Sequence, residues 1–83
     1  MKVCITGGAG FIGSHLAEEC IKNDYYTIVF DNFSTGKEEN LSFIKQFPTA
    51  RLEVIQGDVA DYNAVGEAVK GCDAVFHEAA VAS

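Results

Sequence analysis

Lys2-Val3-Cys4-Ile5-Thr6 runs straight into Gly7-Gly8-Ala9-Gly10-Phe11-Ile12-Gly13, and this junction decides the fold. The first five residues, mostly apolar or β-branched, read as a buried strand. The glycine-x-x-glycine-x-x-glycine spacing that follows reads as a tight turn opening a helix. Glycines let the backbone bend and come close to a phosphate there, and the N-terminus of the helix aims its free N–H groups at the anion. In this reading Gly7 takes the turn and Gly10 removes a side chain that would block a pyrophosphate. Gly13 lets the helix pack close to the sheet. The pattern implies a dinucleotide site.

Residues 11–23 read as a helix, with Ile12, Leu16 and Cys20 four apart on one face. A second strand over 25–31 ends in Asp31, 24 residues past Gly7. An acidic residue about 20 positions beyond such a turn, at a strand tip, is the expected acceptor for a pair of ribose hydroxyls. Its charge repels a 2′-phosphate, and no basic residue follows it before Lys37, so the pattern favours NAD over NADP. The alternative is a structural turn with a coincidental aspartate.

Beyond Asp31 the chain continues to alternate. Thr35 stands three residues before Glu38, as a capping box requires, and predicts a helix through Leu41 and Ile44 to about Phe47, stopped by Pro48. A third strand is expected over 51–56, followed by a Gly57-Asp58 turn. Asp61 is the expected N-cap of a short helix through Val65 and Val69, with Gly71 as its stop. The fourth strand is expected over 73–77. Strands alternating with helices predict an α/β fold, a parallel sheet with right-handed crossovers and flanking helices. In the dinucleotide-binding version its four strands take the order 3-2-1-4. Ligands then bind beyond the C-terminal strand tips, where Asp31, Asp58 and Ala79-Ala80 fall.

Composition narrows the partners. Eighty-three residues make one small domain, of which folding buries about 60% of the chain's surface, so stability is expected to be marginal. Twelve acidic against six basic side chains, a formal net charge of −6, argue against nucleic acid. No run near about 18 apolar residues exists to span a membrane, and the N-terminus lacks the charged start and apolar core of a secretion signal. Cys4, Cys20 and Cys72 are odd in number and lack a C-x-x-C spacing, which points to reduced cytoplasmic thiols and to neither metal nor disulfide. Asn32-Phe33-Ser34 and Asn40-Leu41-Ser42 match the glycosylation sequon, and without a secretory context both are read as chance.

Four segments together carry a family resemblance. They are Thr6-Gly7-Gly8-Ala9-Gly10-Phe11-Ile12-Gly13-Ser14-His15-Leu16, Asp31-Asn32-Phe33-Ser34-Thr35-Gly36, Gly57-Asp58-Val59 and Phe76-His77-Glu78-Ala79-Ala80. In order and spacing they resemble the extended short-chain dehydrogenase/reductase superfamily, in particular nucleotide-sugar epimerases and dehydratases of the UDP-glucose 4-epimerase type. The resemblance implies a Rossmann-type domain over 1–83 that holds the adenosine half of NAD. By it, the Phe11 and Ile12 N–H groups serve the pyrophosphate. Asp31 accepts from the adenosine ribose, with Asn32, Phe33, Ser34, Thr35 and Gly36 around it. Asp58 accepts from the adenine amino group, Val59 lines the ring, and Ala79 and Ala80 let the fourth strand approach the cofactor. Each has a plainer reading: Asp58 capping a turn, Asn32 an ordinary turn residue, the alanines close packing. His15 is expected at the surface and His77 in a structural role.

The family's catalytic pattern, Tyr-x-x-x-Lys, is not in this chain: Tyr25, Tyr26 and Tyr62 are followed four residues later by Val29, Phe30 and Gly66. No catalytic residue is assigned. The expectation is the adenosine-binding part of a UDP-sugar 4-epimerase, with the catalytic and sugar-binding parts elsewhere. Alternatives are a free-standing nucleotide-binding module, an inert gene remnant, or part of a dehydratase or reductase. The apolar fourth strand, Asp73 to His77, would be an open edge, which predicts pairing with another copy.

Overall fold

A computed structural model describes residues 1–34 and 36–79. Its elements are β1 (Lys2–Thr6), α1 (Phe11–Lys22), β2 (Tyr26–Asp31), a 3-10 helix (Glu38–Gln46), β3 (Leu52–Gln56), α2 (Tyr62–Val69) and β4 (Ala74–His77). All strands are parallel and lie in the order β3-β2-β1-β4, as the alternation predicts. Cys4 on central β1 registers with Ile28 on β2 and Val75 on β4.

Strand alternation sends side chains to two cores. Val3, Ile5 and Val29 meet Ala17 and Cys20 of α1 and Leu41 of the 3-10 helix. On the other face Cys4, Ile28 and Phe30 meet Ala64, Val65, Ala68 and Val69 of α2. Near-continuous apolar runs in β1 and β2 follow from this cover on both sides.

The buried face of α1 is Gly13, Ser14, Ala17, Cys20 and Ile21, not the Ile12–Leu16–Cys20 stripe, and Ile12 is 64% exposed. A spacing of four overshoots one helical turn by about 40° at each step, so such a stripe winds off the face. Asn23 ends α1, its Nδ2 donating to the Glu19 carbonyl at 2.8 Å, and Asp24 turns the chain with φ 61°.

The segment expected to be an α-helix after Thr35 is instead a 3-10 helix with Lys37 as N-cap and no side-chain cap. Glu38 is its first residue, and Thr35 lies outside the described residues. Leu41, Ile44 and Phe47 recur at steps of three, the period of a 3-10 helix, and Leu41 is its one buried residue. Asp61 caps α2 as expected, its Oδ1 accepting from the N–H groups of Asn63 and Ala64 at 3.1 and 3.2 Å. Gly71 follows with φ 77°. No helix among the described residues is long and apolar enough to cross a membrane.

Candidate functional site

The C-terminal tips of β2, β1 and β4 meet around the glycine turn. Gly7 has φ 73°, and its N–H donates to the Phe30 carbonyl at 2.7 Å. A Cβ on Gly7 would lie 2.7 Å from the Ala79 nitrogen, so β4's exit closes directly over the turn. Gly13 works differently from the expectation. A Cβ there would collide with the Gly7 carbonyl, so what Gly13 permits directly is close packing of α1 on the turn, while Ala17 and Cys20 further along α1 meet the sheet.

At Gly10 a Cβ would meet only the Gly7 carbonyl, at 3.3 Å, and otherwise open space. Its N–H donates to the same carbonyl at 3.1 Å, and its carbonyl accepts from Ser14 at 2.9 Å. The N–H groups of Phe11, Ile12 and Gly13 find no acceptor among the described residues. The first turn of α1 carries no acidic side chain. The result is the positive end of a 12-residue helix, open at Gly10 and able to take an anion. The Phe11 side chain, 77% exposed, stands edge-on to His15 with ring centroids 4.8 Å apart, and His15 is at the surface as expected.

Asp31 is 7% exposed, and its carboxylate organises two loops. Oδ2 accepts from the Ala9 N–H at 2.9 Å and Oδ1 from the Phe33 N–H at 2.8 Å. The second bond holds Phe33 in the left-handed region, at φ 60°. Asn32 is exposed and its Oδ1 accepts from the Ser34 N–H at 2.9 Å, the plain turn arrangement. Gly36 is buried against Asp31 and Ala9, where a Cβ would come within 2.9 Å of Asp31 Oδ2.

Residue Asn40 was read in the sequence only as part of a chance sequon, yet its Nδ2 donates to the Ala9 carbonyl at 2.8 Å. The Lys37 N–H donates to that carbonyl at 3.1 Å. The one local hint was an amide shortly beyond a glycine loop.

Asp58 is exposed just past β3, and its Oδ1 accepts from the Ala60 N–H at 2.9 Å, so it does cap a turn. Val59 is half-buried against the α2-side core. Ala79 is half-buried, with its N–H 3.4 Å from Thr6 Oγ1, and Ala80 lies outside the described residues. Gly7, Gly10, Gly13, Asp31 and Ala79 are therefore brought to one end of the sheet with Gly36. His77 faces Thr6 Oγ1 at 2.8 Å through Nδ1. Burial, with Cys72 nearby, pushes the Cys4 thiol up to about 11, and burial also raises Cys20 and Cys72. All three are free thiols, and among the described residues no group of three potential metal ligands occurs.

A parallel 3-2-1-4 sheet with a glycine turn between β1 and α1 defines a Rossmann-type α/β domain. The chain belongs to the NAD dependent epimerase/dehydratase family, whose profile matches residues 3–83. A UDP-N-acetyl-alpha-D-glucosaminuronate decarboxylase of Bacillus cytotoxicus is 43% identical over 80 residues, which are 96% of this chain and 24% of that protein. A putative UDP-arabinose 4-epimerase of Arabidopsis thaliana is 42% identical over 84 residues, 96% of this chain and 20% of its own. Among solved structures, the Bordetella bronchiseptica enzyme WbmG in complex with NAD superimposes with a TM-score of 0.82 at 39% identity, covering 100% of this chain and 26% of that one. The chain thus spans about a quarter or less of the length of these relatives.

Proposed function

We propose that the chain forms the adenosine and pyrophosphate half of an NAD site in an enzyme that processes UDP-sugars. The observation that carries this is the α1 N-terminus, with three N–H groups that find no acceptor among the described residues and a side-chain-free opening at Gly10. The N–H groups of Phe11, Ile12 and Gly13 hold the pyrophosphate, and Gly7 and Gly13 set the turn that presents them. Each Asp31 oxygen keeps a lone pair beyond the Ala9 and Phe33 bonds for a ribose hydroxyl. Asn32, Phe33, Ser34, Thr35 and Gly36 surround that ribose, Asp58 and Val59 meet the adenine, and Ala79 and Ala80 line the approach from β4. The buried negative charge of Asp31 opposes a 2′-phosphate.

Bound NAD supplies a hydride acceptor for a carbinol carbon of the sugar. In the whole enzyme we read the reaction as 4-epimerisation between UDP-glucose and UDP-galactose. Sugar-acid decarboxylation is the second reading, favoured by the 43% identity to the Bacillus cytotoxicus decarboxylase. The deciding experiment is calorimetric titration of the chain with NAD, ADP-ribose and NADP. Similar binding of the first two with NADP at least tenfold weaker is expected. A folded chain that binds none of them, or prefers NADP, overturns the reading.

Assembly and location belong to the same proposal. On β4, Val75 and Phe76 are 47% and 40% exposed on opposite faces of an edge strand, which supports pairing with a second copy. Light scattering that gives a monomer mass at high concentration rejects that pairing. Free, neutral thiols support a cytoplasmic protein.

A further inference from the structure

We infer that Asn40 is a positioning residue for the phosphate-binding turn, acting through the Ala9–Gly10 peptide; its functional part rests on the NAD reading above. Ala9 is fully buried, and its own N–H and carbonyl are both engaged. Its N–H donates to Asp31 Oδ2 at 2.9 Å. Its carbonyl accepts from Asn40 Nδ2 at 2.8 Å and from the Lys37 N–H at 3.1 Å, filling both lone pairs. The Gly10 N–H donates to Gly7 at 3.1 Å. The Ala9–Gly10 peptide plane is therefore held at both ends, immediately before the Phe11, Ile12 and Gly13 N–H groups that open α1.

Glycine at position 10 would otherwise leave that plane free to rotate, since it tolerates backbone angles that other residues do not. A turn that must be ordered on binding loses affinity to the entropy of ordering, and a turn already held does not. Of the two donors on the Ala9 carbonyl, Lys37 uses its main chain, which any residue but proline supplies. Asn40 is the donor that depends on side-chain identity. Its removal leaves the Lys37 bond in place, so the chain still folds while one of two restraints on the turn is gone.

The test pairs ligand-free amide spectra with NAD and ADP-ribose titrations for wild type, Asn40→Ala, Asn40→Asp and Asn40→His. Asn40→Ala is expected to shift or broaden the Gly10 and Phe11 amide signals and weaken both ligands about tenfold, the worth of one hydrogen bond. Asn40→Asp sets an oxygen against the Ala9 carbonyl and weakens them more. Asn40→His keeps an N–H the same number of bonds from the backbone and recovers most of the affinity. A merely structural role would lower the melting temperature and leave the affinity of the folded fraction unchanged, and that result overturns the inference. Unmoved Gly10 and Phe11 signals in folded Asn40→Ala, or in Asn40→Asp should the alanine variant not fold, also overturn it. If wild type binds no dinucleotide, the NAD reading falls, and the ligand-free spectra alone decide whether Asn40 sets the turn.

Discussion

Thr6 Oγ1 stands 2.8 Å from His77 Nδ1, a side-chain bridge between the tips of β1 and β4 beside the glycine turn. The Ala79 N–H reaches the same oxygen at 3.4 Å, so one hydroxyl ties the β4 ring and the β4 exit to the tip of β1. Main chain reinforces the bridge, the Glu78 N–H donating to the Thr6 carbonyl at 2.9 Å. Thr6 is almost completely buried. Thr6→Val keeps the shape and removes both hydroxyl bonds, and a cost of about 1–3 kcal/mol is expected from the lost bonds and the unpaired partners. Thr6→Ser restores the hydroxyl and should recover part of it. Urea midpoints measure both, and a valine variant as stable as wild type would show that the bridge contributes nothing.

Gly13→Ala forces a Cβ into the Gly7 carbonyl, with Gly7 and Gly8 backbone on either side and no flexible side chain to yield. Moving α1 away disrupts the turn and the core that Ala9, Ala17 and Cys20 share with β1 and β2. The expected loss is roughly 2–4 kcal/mol, above the usual ~1–3 kcal/mol of overpacked sites because the clash is with backbone, against a total of about 4–12 kcal/mol for a chain of this length. Melting followed by circular dichroism should fall on the order of 10–25 °C. A drop under about 3 °C would mean the helix and turn can separate freely, contrary to the packing described.

Gly66 is the opposite case. It lies inside α2, is exposed, and a Cβ there meets nothing within 4 Å. Gly66→Ala removes unfolded-state freedom without adding a clash, and a gain of about 0.5–1 kcal/mol is expected. The same melting experiment should rise by a few degrees, and a fall would place an unrecognised constraint at this surface.

The sheet was legible because its signals are local. Val3 to Ile5 and Thr27 to Phe30 are unbroken apolar or β-branched runs bounded by turn residues, and β1 and β2 sit where those runs are. Gly7 and Gly13 were legible for the same reason, since a tight turn and a close approach each demand glycine. What escaped was non-local. Asn40 meets Ala9 across 31 residues, and no spacing rule links them. The segment from Lys37 to Asn40 serves Ala9, and its helix starts at Glu38 with Lys37 as N-cap, two residues later than a capping box at Thr35 and Glu38 predicts. Asp31 was found at the strand tip, but its bonds to Ala9 and Phe33 depend on loops whose path the sequence pattern leaves open.

Burial of Cys4 also makes stability depend on pH at the alkaline end. Its thiol, ordinarily near 9.0, is pushed up to about 11 chiefly by burial and secondarily by Cys72 beside it. Below about 9 both folded and unfolded chains keep this proton, and Cys4 adds no pH dependence. Between about 9 and 11 the unfolded chain loses the proton while the folded chain keeps it, so the unfolded state binds fewer protons and stability falls as pH rises. Other groups titrate in this window, and Cys4→Val isolates the contribution by replacing the thiol with a buried apolar side chain. Urea midpoints from pH 8 to 11 (about one unit apart, under reducing conditions) should decline more steeply for wild type than for Cys4→Val. Parallel declines would show that the thiol ionises in the folded chain as easily as in the unfolded one, and that the Cys4 side of the sheet admits water.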